Sequence, residues 1–206
     1  MRCKAEVSSP IVMQMSDTLF LMAEEKGDQR MQAVALCNKL DYFYYKNDQP
    51  DSISHYVEIV KDFARKTNQP KYYYFVWSKR LIYYYIKQYQ YNIALYEANK
   101  MMKEAEQEKY MDGIANAYNV LSSIYQLKRL FNLAINNKKK EIEITLQYNL
   151  NKFNLSIYYS GLTNLYCELG EADNALENLN KSASCLYSST QEYYYYVRAC
   201  PILPFY

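Results

Sequence analysis

Residues that could carry chemistry are few in this chain. Its 206 residues contain one histidine, His55, which we expect to be a surface or half-buried helical side chain. The five cysteines are odd in number, far apart and without a CxxC pair, which argues against a disulfide framework or a structural zinc site. We expect them to be free thiols used as small core residues, which is more typical of a reducing compartment.

Acidic and aromatic clusters do not build an active site either. Acidic pairs such as Glu24 and Glu25 have no apolar pocket beside them that would raise a carboxyl pKa. The tyrosine runs at 72–74, 83–85 and 193–196 cannot form one stacking platform, because consecutive helical residues point about 100° apart. Since the chain also has no phosphate-binding loop or nucleophile motif, we predict no enzyme activity, no metal and no cofactor.

The overall charge is close to balanced. Lysine and arginine number 24 and aspartate and glutamate 22, which argues against a nucleic-acid or anionic-lipid partner. The basic run at 138–140 is followed by Glu141, a pattern typical of a solvated helix face. No apolar stretch approaches the ~20 residues of a membrane span, and Glu6 and Pro10 interrupt the region that would follow a basic export-signal start. We expect a cytoplasmic chain, or a periplasmic one if it is the trimmed ectodomain of a sensor.

The main signal is self-similarity at a shift of about 40 residues. Four glycines and five prolines are too few for the turns of an all-β chain, which favours helix. Four columns of residues recur in one register, with the tyrosines at steps of 40, 40 and 41. The columns are Tyr45, Tyr85, Tyr125 and Tyr166; Ser54, Ala94, Ala134 and Ala175; Leu81, Leu121 and Leu162; and Tyr91, Phe131 and Ala172.

The columns have a physical reason. A leucine and a tyrosine four residues apart share one helix face. The small residue nine positions after the tyrosine falls early in a second helix, where Ala or Ser allows two helices to approach closely. Short polar turns join the helices, and Gly170 is well placed as a C-terminal cap. The pattern predicts a lead-in helix at about 16–26, helix pairs at 29–46 with 52–67, 71–87 with 91–109, 112–127 with 131–149 and 153–168 with 172–187, and a last helix near 191–200.

The last unit resembles a tetratricopeptide repeat (TPR). The resemblance rests on the spacing of aromatic, leucine, glycine and small residues at Tyr159, Leu162, Tyr166, Gly170, Ala175 and Ser182. The third unit departs at Arg129, where glycine is usual, and the first at Asp41, where leucine is usual. The units have 40 or 41 residues against about 34 in the family, which we attribute to longer helices. Such extended units resemble those of bacterial signalling proteins, including sensor portions of two-component systems and peptide-sensing regulators.

The resemblance implies an all-α fold. It would be a right-handed α-α superhelix, or solenoid, of about four helix-turn-helix TPR-like repeats with flanking single helices. The unpaired terminal helix could pair with a second copy of the chain, which would give a homo-oligomer. The predicted organisation is a lead-in segment and helix at 1–28, a repeat array at 29–188 with units at about 29–69, 70–110, 111–150 and 151–188, and a partial repeat or cap at 189–206.

In the family, the first helices of each pair line a concave groove that binds peptides. Lysines dominate the first half of the matching positions and suit carboxylates, whereas asparagines suit a peptide backbone. The alternative is that these positions are only solvent-facing polar residues. Carried over by register, the positions are Lys39, Phe43, Lys46, Lys79, Tyr83, Lys87, Asn119, Ser123, Gln126, Ser160, Asn164 and Cys167.

The sequence therefore predicts a binding function. The leading hypothesis is a protein- or peptide-binding scaffold, the sensory or docking module of a bacterial signalling protein of the two-component type. The alternatives are the peptide-sensing half of a transcriptional regulator or effector, and a structural assembly subunit. The expected partner is a protein or an extended peptide, with an acidic group towards Lys39 and Lys79 and a backbone that meets Asn119 and Asn164.

Overall fold

The computed structural model describes residues 9–46, 50–150 and 154–187, which are helical apart from the turns that join the helices. No β-strand occurs within these ranges, which confirms the all-α fold class. None of the described helices is long and apolar enough to cross a membrane. The predicted last helix near 191–200 lies outside the described residues.

The helices agree closely with the predicted pairs. In the N-terminal half, α1 covers Ile11–Glu25, α2 Gln29–Lys46, α3 Pro50–Lys66, α4 Pro70–Val76, a π-helical segment Trp77–Ile82, α5 Tyr83–Lys87 and α6 Tyr91–Gln107. In the C-terminal half, α7 covers Met111–Leu127, α8 Phe131–Gln147, α9 Leu155–Leu169 and α10 Ala172–Tyr187.

The chain divides within α6, between Met101 and Met102, into two compact units. In the first unit, α1 packs on α2, α2 on α3, and α3 on both α4 and the π-helical segment. In the second unit, α7 packs on α8, α8 on α9, and α9 on α10. The second unit has a core cluster formed by Ala134, Ile135, Ile142, Leu155, Leu162, Leu165, Tyr166 and Ala175.

The helix α9 ends as the sequence predicts, on a left-handed Gly170 with φ of 75°. The Gly170 N–H donates to the Cys167 carbonyl at 3.0 Å, and the Glu171 N–H donates to the Tyr166 carbonyl at 2.9 Å. This pair of bonds is a Schellman motif, which satisfies carbonyls that the end of a helix leaves without partners.

Residues other than glycine take the same conformation at further helix ends. These left-handed positions are spaced 20 or 21 residues apart, which is half of the repeat length, and Gly170 continues the same spacing. Tyr85, Tyr125 and Tyr166 each lie four residues before such a position, and each accepts a bond from the N–H five residues later. These three tyrosines are therefore equivalent, as predicted. The left-handed residues other than glycine are Asn68, Tyr89, Lys109, Arg129 and Asn149, with φ between 50° and 58°.

The predicted close approach of two helices at Ala134 is confirmed. Ala134 is fully buried at the start of α8, and the Ser122 hydroxyl of α7 donates to its carbonyl at 2.8 Å. A hydroxyl can reach a backbone carbonyl of the facing helix only where both side chains are small. Ala94 and Ala175, in the same column, are also buried.

The first repeat, predicted at 29–69, is out of register by one residue. Ser54, assigned to the small-residue column, is exposed, whereas the preceding Ile53 is fully buried. Asp41, assigned to the leucine column, is half-buried, whereas the preceding Leu40 is fully buried. A carboxylate cannot fill an apolar core site without a large desolvation cost. The core sites of this repeat are therefore Leu40, Tyr44 and Ile53, and the predicted set Asp41, Tyr45 and Ser54 is wrong by one residue.

The helix predicted at 71–87 is interrupted by the π-helical segment, a rare element that periodicity does not predict. Trp77, its first residue, is fully buried, and its indole N–H donates to Glu97 Oε2 on α6 at 2.8 Å. The Lys61 Nζ of α3 lies 4.0 Å from the centre of the same ring. The segment thus anchors the tryptophan between a carboxylate and an ammonium group within the first unit.

Candidate peptide-binding surface

The first two lysines of the predicted groove already have partners. Lys39 forms an ion pair with Asp17 on α1, so its charge is already compensated where the sequence predicts an acidic group of the ligand. The Lys46 Nζ donates to the Tyr42 hydroxyl at 3.3 Å and lies 5.4 Å from the centre of its ring. Both ammonium groups therefore have less of their charge and hydrogen-bonding capacity left for a ligand carboxylate.

The next two lysines lie over aromatic rings. The Lys79 Nζ is 5.4 Å from the centre of the half-buried Tyr83 ring, and the Lys87 Nζ is 3.8 Å from that of Tyr44. Such contacts contribute about 0.5–1 kcal/mol at exposed sites. Burial lowers the pKa of Lys87 below its ordinary value. An acidic group expected at this end of a peptide would therefore compete with the rings.

Phe43, the aromatic residue predicted for the same surface, faces its own helix pair. Its ring stacks on Tyr56 of α3, with ring centres 5.1 Å apart and an interplanar angle of 24°. The one-residue register shift of the first repeat explains this orientation. The core leucine of this repeat is Leu40, so the groove positions counted from it lie one residue before the predicted ones.

In the second unit, the predicted residues on α7 are half-buried and form bonds within the unit. The Asn119 Nδ2 donates to Glu141 Oε1 on α8 at 2.8 Å. The Ser123 hydroxyl donates to the Asn119 carbonyl at 3.1 Å. Gln126 is half-buried on the same helix. Asn119 was expected to meet a peptide through both donor and acceptor, but one of its two amide hydrogens is already donated to Glu141.

The predicted residues on α9 differ from those on α7. Ser160 and Asn164 are half-buried and Cys167 is exposed. The Asn164 Oδ1 is buried, yet it accepts no hydrogen bond from the residues that the structure describes. A buried acceptor without a partner costs about 1–3 kcal/mol, and native proteins contain few of them. Within the described residues, this oxygen is therefore a buried acceptor whose desolvation no hydrogen bond offsets.

The cysteines are less buried than the sequence suggested. Cys37 and Cys185 are half-buried and Cys167 is exposed, so none of these three is a fully buried core residue. Burial raises the pKa of Cys37 to about 12, and the charge of Asp41 acts in the same direction. The Cys37 thiol is therefore protonated and unreactive near neutral pH.

A buried ion pair was missed by the sequence interpretation. Lys138 and Glu141 on α8 are only 8% and 1% exposed, and the Lys138 Nζ donates to Glu141 Oε2 at 2.6 Å. The predicted solvated face at 138–140 is therefore wrong for Lys138, although Lys139 and Lys140 are exposed. Helical periodicity could have predicted this burial, because Lys138 and Glu141 lie four and seven residues after Ala134 and therefore share its buried helix face.

Tyr158 of α9 and Asn119 of α7, both half-buried, extend the buried pair of Lys138 and Glu141 into a polar network. Burial raises the pKa of Tyr158 above its ordinary value, and the negative charge of Glu141 raises it further. The Tyr158 hydroxyl is hydrogen-bonded to Asn154 and to Glu141. The network joins α7, α8 and α9, so charge and hydrogen bonding orient these helices as well as apolar contact does.

The remaining candidate for chemistry, His55, is an exposed helical residue beside Tyr56, as expected. Within the ranges that the structure describes, no group of three or more histidine, cysteine, aspartate or glutamate side chains could hold a metal ion.

Comparison with known proteins shows similarity at the level of the fold. No protein-family model and no curated protein matches the chain. Among solved structures, it is similar to the crystal structure of BtubC (BKLC) from P. vanneervenii, with a TM-score of 0.56 and 11% sequence identity. The match covers 88% of this chain and 82% of that one. At this identity the likeness supports the all-α, helical-repeat architecture alone.

Proposed function

We propose that the chain is a protein- or peptide-binding scaffold of TPR-like repeats, the sensory or docking module of a bacterial signalling protein. The repeats would follow one another as a right-handed superhelix, and the chain would bind without catalysing a reaction. Packed helix pairs and the equivalent tyrosines of the last three repeats support a repeat array. The half-buried polar residues on α7 and α9 support binding through the first helices of the pairs.

Asn164 is the observation that carries this proposal. Its buried Oδ1 has no donor among the described residues, although it lies at a position where the family contacts peptides. The oxygen is closed to solvent, so a peptide N–H would reach it only after neighbouring side chains move, and it would then satisfy the oxygen without displacing one of its bonds. Asn119, by contrast, already donates one amide hydrogen to Glu141, so less of its hydrogen-bonding capacity is left for a peptide.

A peptide library tests the proposal. Peptides selected from a random phage-displayed library against the full chain supply the ligand, and their affinities are measured by calorimetry. Asn164→Ala should weaken binding by about 1–3 kcal/mol, which is roughly fivefold to 150-fold, because a peptide donor loses its acceptor. The free energy of unfolding should not fall, since this side-chain oxygen has no bond to lose among the described residues.

The control is Asn180→Ala, which changes an exposed asparagine on α10 and should leave the same affinities unchanged. If the library yields no peptide ligand, or if the selected peptides bind the Asn164→Ala variant as tightly as the original chain, the proposed surface is wrong.

A further inference from the structure

A small polar cavity lies in the second unit, beside the first turns of α7 and α9 and the end of α8. Its volume is about 60 Å³, and its polar lining consists of Asp112, Asn116, Thr145, Asn154 and Tyr158. One water molecule requires about 10–15 Å³ on this scale. The cavity can therefore hold a small polar group with one or two attached carbons.

Several hydrogens of the lining side chains are directed to other protein atoms. The Thr145 hydroxyl donates to the Glu141 carbonyl at 2.8 Å. The Asn116 Nδ2 donates to the Asp112 carbonyl at 2.9 Å. The Tyr158 hydroxyl is hydrogen-bonded to Asn154 and to Glu141. Each asparagine nitrogen carries a second hydrogen, so a ligand would meet some N–H donors, but the oxygens of Asn116, Thr145 and Asn154 keep lone pairs and offer several acceptors.

Among the residues that the structure describes, the charge around the cavity is negative. Asp112 contributes a carboxylate that is exposed at the rim and hydrogen-bonded to Tyr110. The nearby Glu141 is compensated by Lys138, so this buried pair adds no net charge. A carboxylate or phosphate would face repulsion and oxygen acceptors here, whereas a cationic donor would be attracted.

We propose that this cavity binds a primary ammonium group. An ammonium group carries three N–H donors and one positive charge in a compact volume, which matches the acceptors, the charge and the size of the cavity. The inference goes beyond the proposed function, because it uses neither Asn164 nor an extended peptide. The group could belong to a free small amine or to a lysine side chain of a partner.

Nuclear magnetic resonance of the full ¹⁵N-labelled chain tests this proposal. Methylammonium and N-acetyl-lysine amide are titrated at constant ionic strength, and the side-chain amide signals of Asn116 and Asn154 are followed. At least one probe should give saturable shifts. Tetramethylammonium, which has no N–H donor, should give none. Saturation by methylammonium alone indicates a small amine, and saturation by the lysine amide indicates a lysine side chain.

Two variants complete the test. Asp112→Asn should weaken probe binding about tenfold or more, because the ammonium loses a charged acceptor. Asp173→Asn changes the corresponding exposed acid in the first turn of α10 and should leave the affinity unchanged. Thermal unfolding checks that both variants fold. Shifts that stay linear with both probes, or equal affinities of the two variants, overturn the proposal.

Discussion

Arg80 of the π-helical segment and Asp41 of α2 form an ion pair across 39 residues of chain. The Arg80 Nη2 donates to Asp41 Oδ2 at 3.0 Å, and its Nε donates to the other carboxylate oxygen. The two side chains are 13% and 23% exposed, and the guanidinium also lies 5.1 Å from the centre of the Tyr44 ring. Asp41 is therefore not a substitute for the core leucine of the repeat. It binds the π-helical segment, while Leu40 fills the core.

Asp41→Ala should lower the free energy of unfolding by about 3 kcal/mol, because it leaves a largely buried guanidinium without its counter-charge. Urea unfolding followed by circular dichroism measures the change. The matched control is Asp17→Ala, which removes the partner of Lys39. Asp17 is 59% exposed, so that loss should stay below about 1 kcal/mol. Equal losses in the two variants would contradict the assigned role of the Asp41–Arg80 pair.

Lys138→Ala should be strongly destabilising, by about 3–5 kcal/mol, because Glu141 would remain buried without its ammonium partner. This expectation replaces the sequence-based one, in which position 138 was a neutral surface site. Lys139→Ala, one residue further and exposed, should change the free energy of unfolding by less than about 1 kcal/mol. Comparable midpoints of urea unfolding for both variants would show that the buried pair is not formed.

Ala134→Leu should cost about 1–3 kcal/mol, because added methylenes must enter the contact where Ser122 reaches the Ala134 carbonyl. Thermal unfolding of this variant is compared with that of Lys139→Leu, which places the same side chain on an exposed position of α8. A smaller shift for Ala134→Leu than for its control would argue against close packing of α7 on α8.

Arg129→Gly should stabilise the protein by about 0.5–1 kcal/mol. Arg129 has a φ of 58°, and the left-handed region costs a residue with a Cβ roughly 1–2 kcal/mol, part of which the greater freedom of glycine in the unfolded chain offsets. Lys128→Gly is the control, because Lys128 has an ordinary φ of −80° and gains nothing from glycine. A lower melting temperature for Arg129→Gly would contradict the capping role of this residue.

Alkaline pH should destabilise the fold through its tyrosines. Burial raises the pKa of Tyr110 to about 12, and the charge and hydrogen bond of Asp112 act in the same direction. An unfolded tyrosine titrates near pH 10, so between pH 10 and 12 the folded state holds a proton that the unfolded state has lost. The free energy of unfolding should therefore fall as the pH rises through this window.

Spectrophotometric titration of tyrosinate checks the cause of this effect. In Asp112→Asn, one tyrosine should ionise at lower pH than in the original chain, whereas Asp173→Asn should leave the titration curve unchanged. If the titration curve of Asp112→Asn superimposes on that of the original chain, Asp112 does not contribute to the raised pKa of Tyr110.

Part of the candidate site was predictable and part was not. The register of the last two repeats placed Asn164 on a first helix, and the structure shows its Oδ1 buried there without a donor among the described residues. The partners of Lys39 and Asn119 were not predictable, since Asp17 and Glu141 each lie 22 residues away on another helix. Sequence spacing informs on contacts three or four residues apart, which share a helix face.

The sequence by itself determined the helices of the second unit to within two residues, together with the close contact at Ala134 and the cap at Gly170. These features follow from local rules: apolar periodicity, small side chains at a contact, and a residue that tolerates a left-handed backbone. Only the tertiary structure decided the register of the first repeat, the π-helical segment at Trp77 and the burial of Lys138 with Glu141. Each of these depends on which distant helix supplies a partner, because a charge or an indole N–H can be buried only where another element satisfies it.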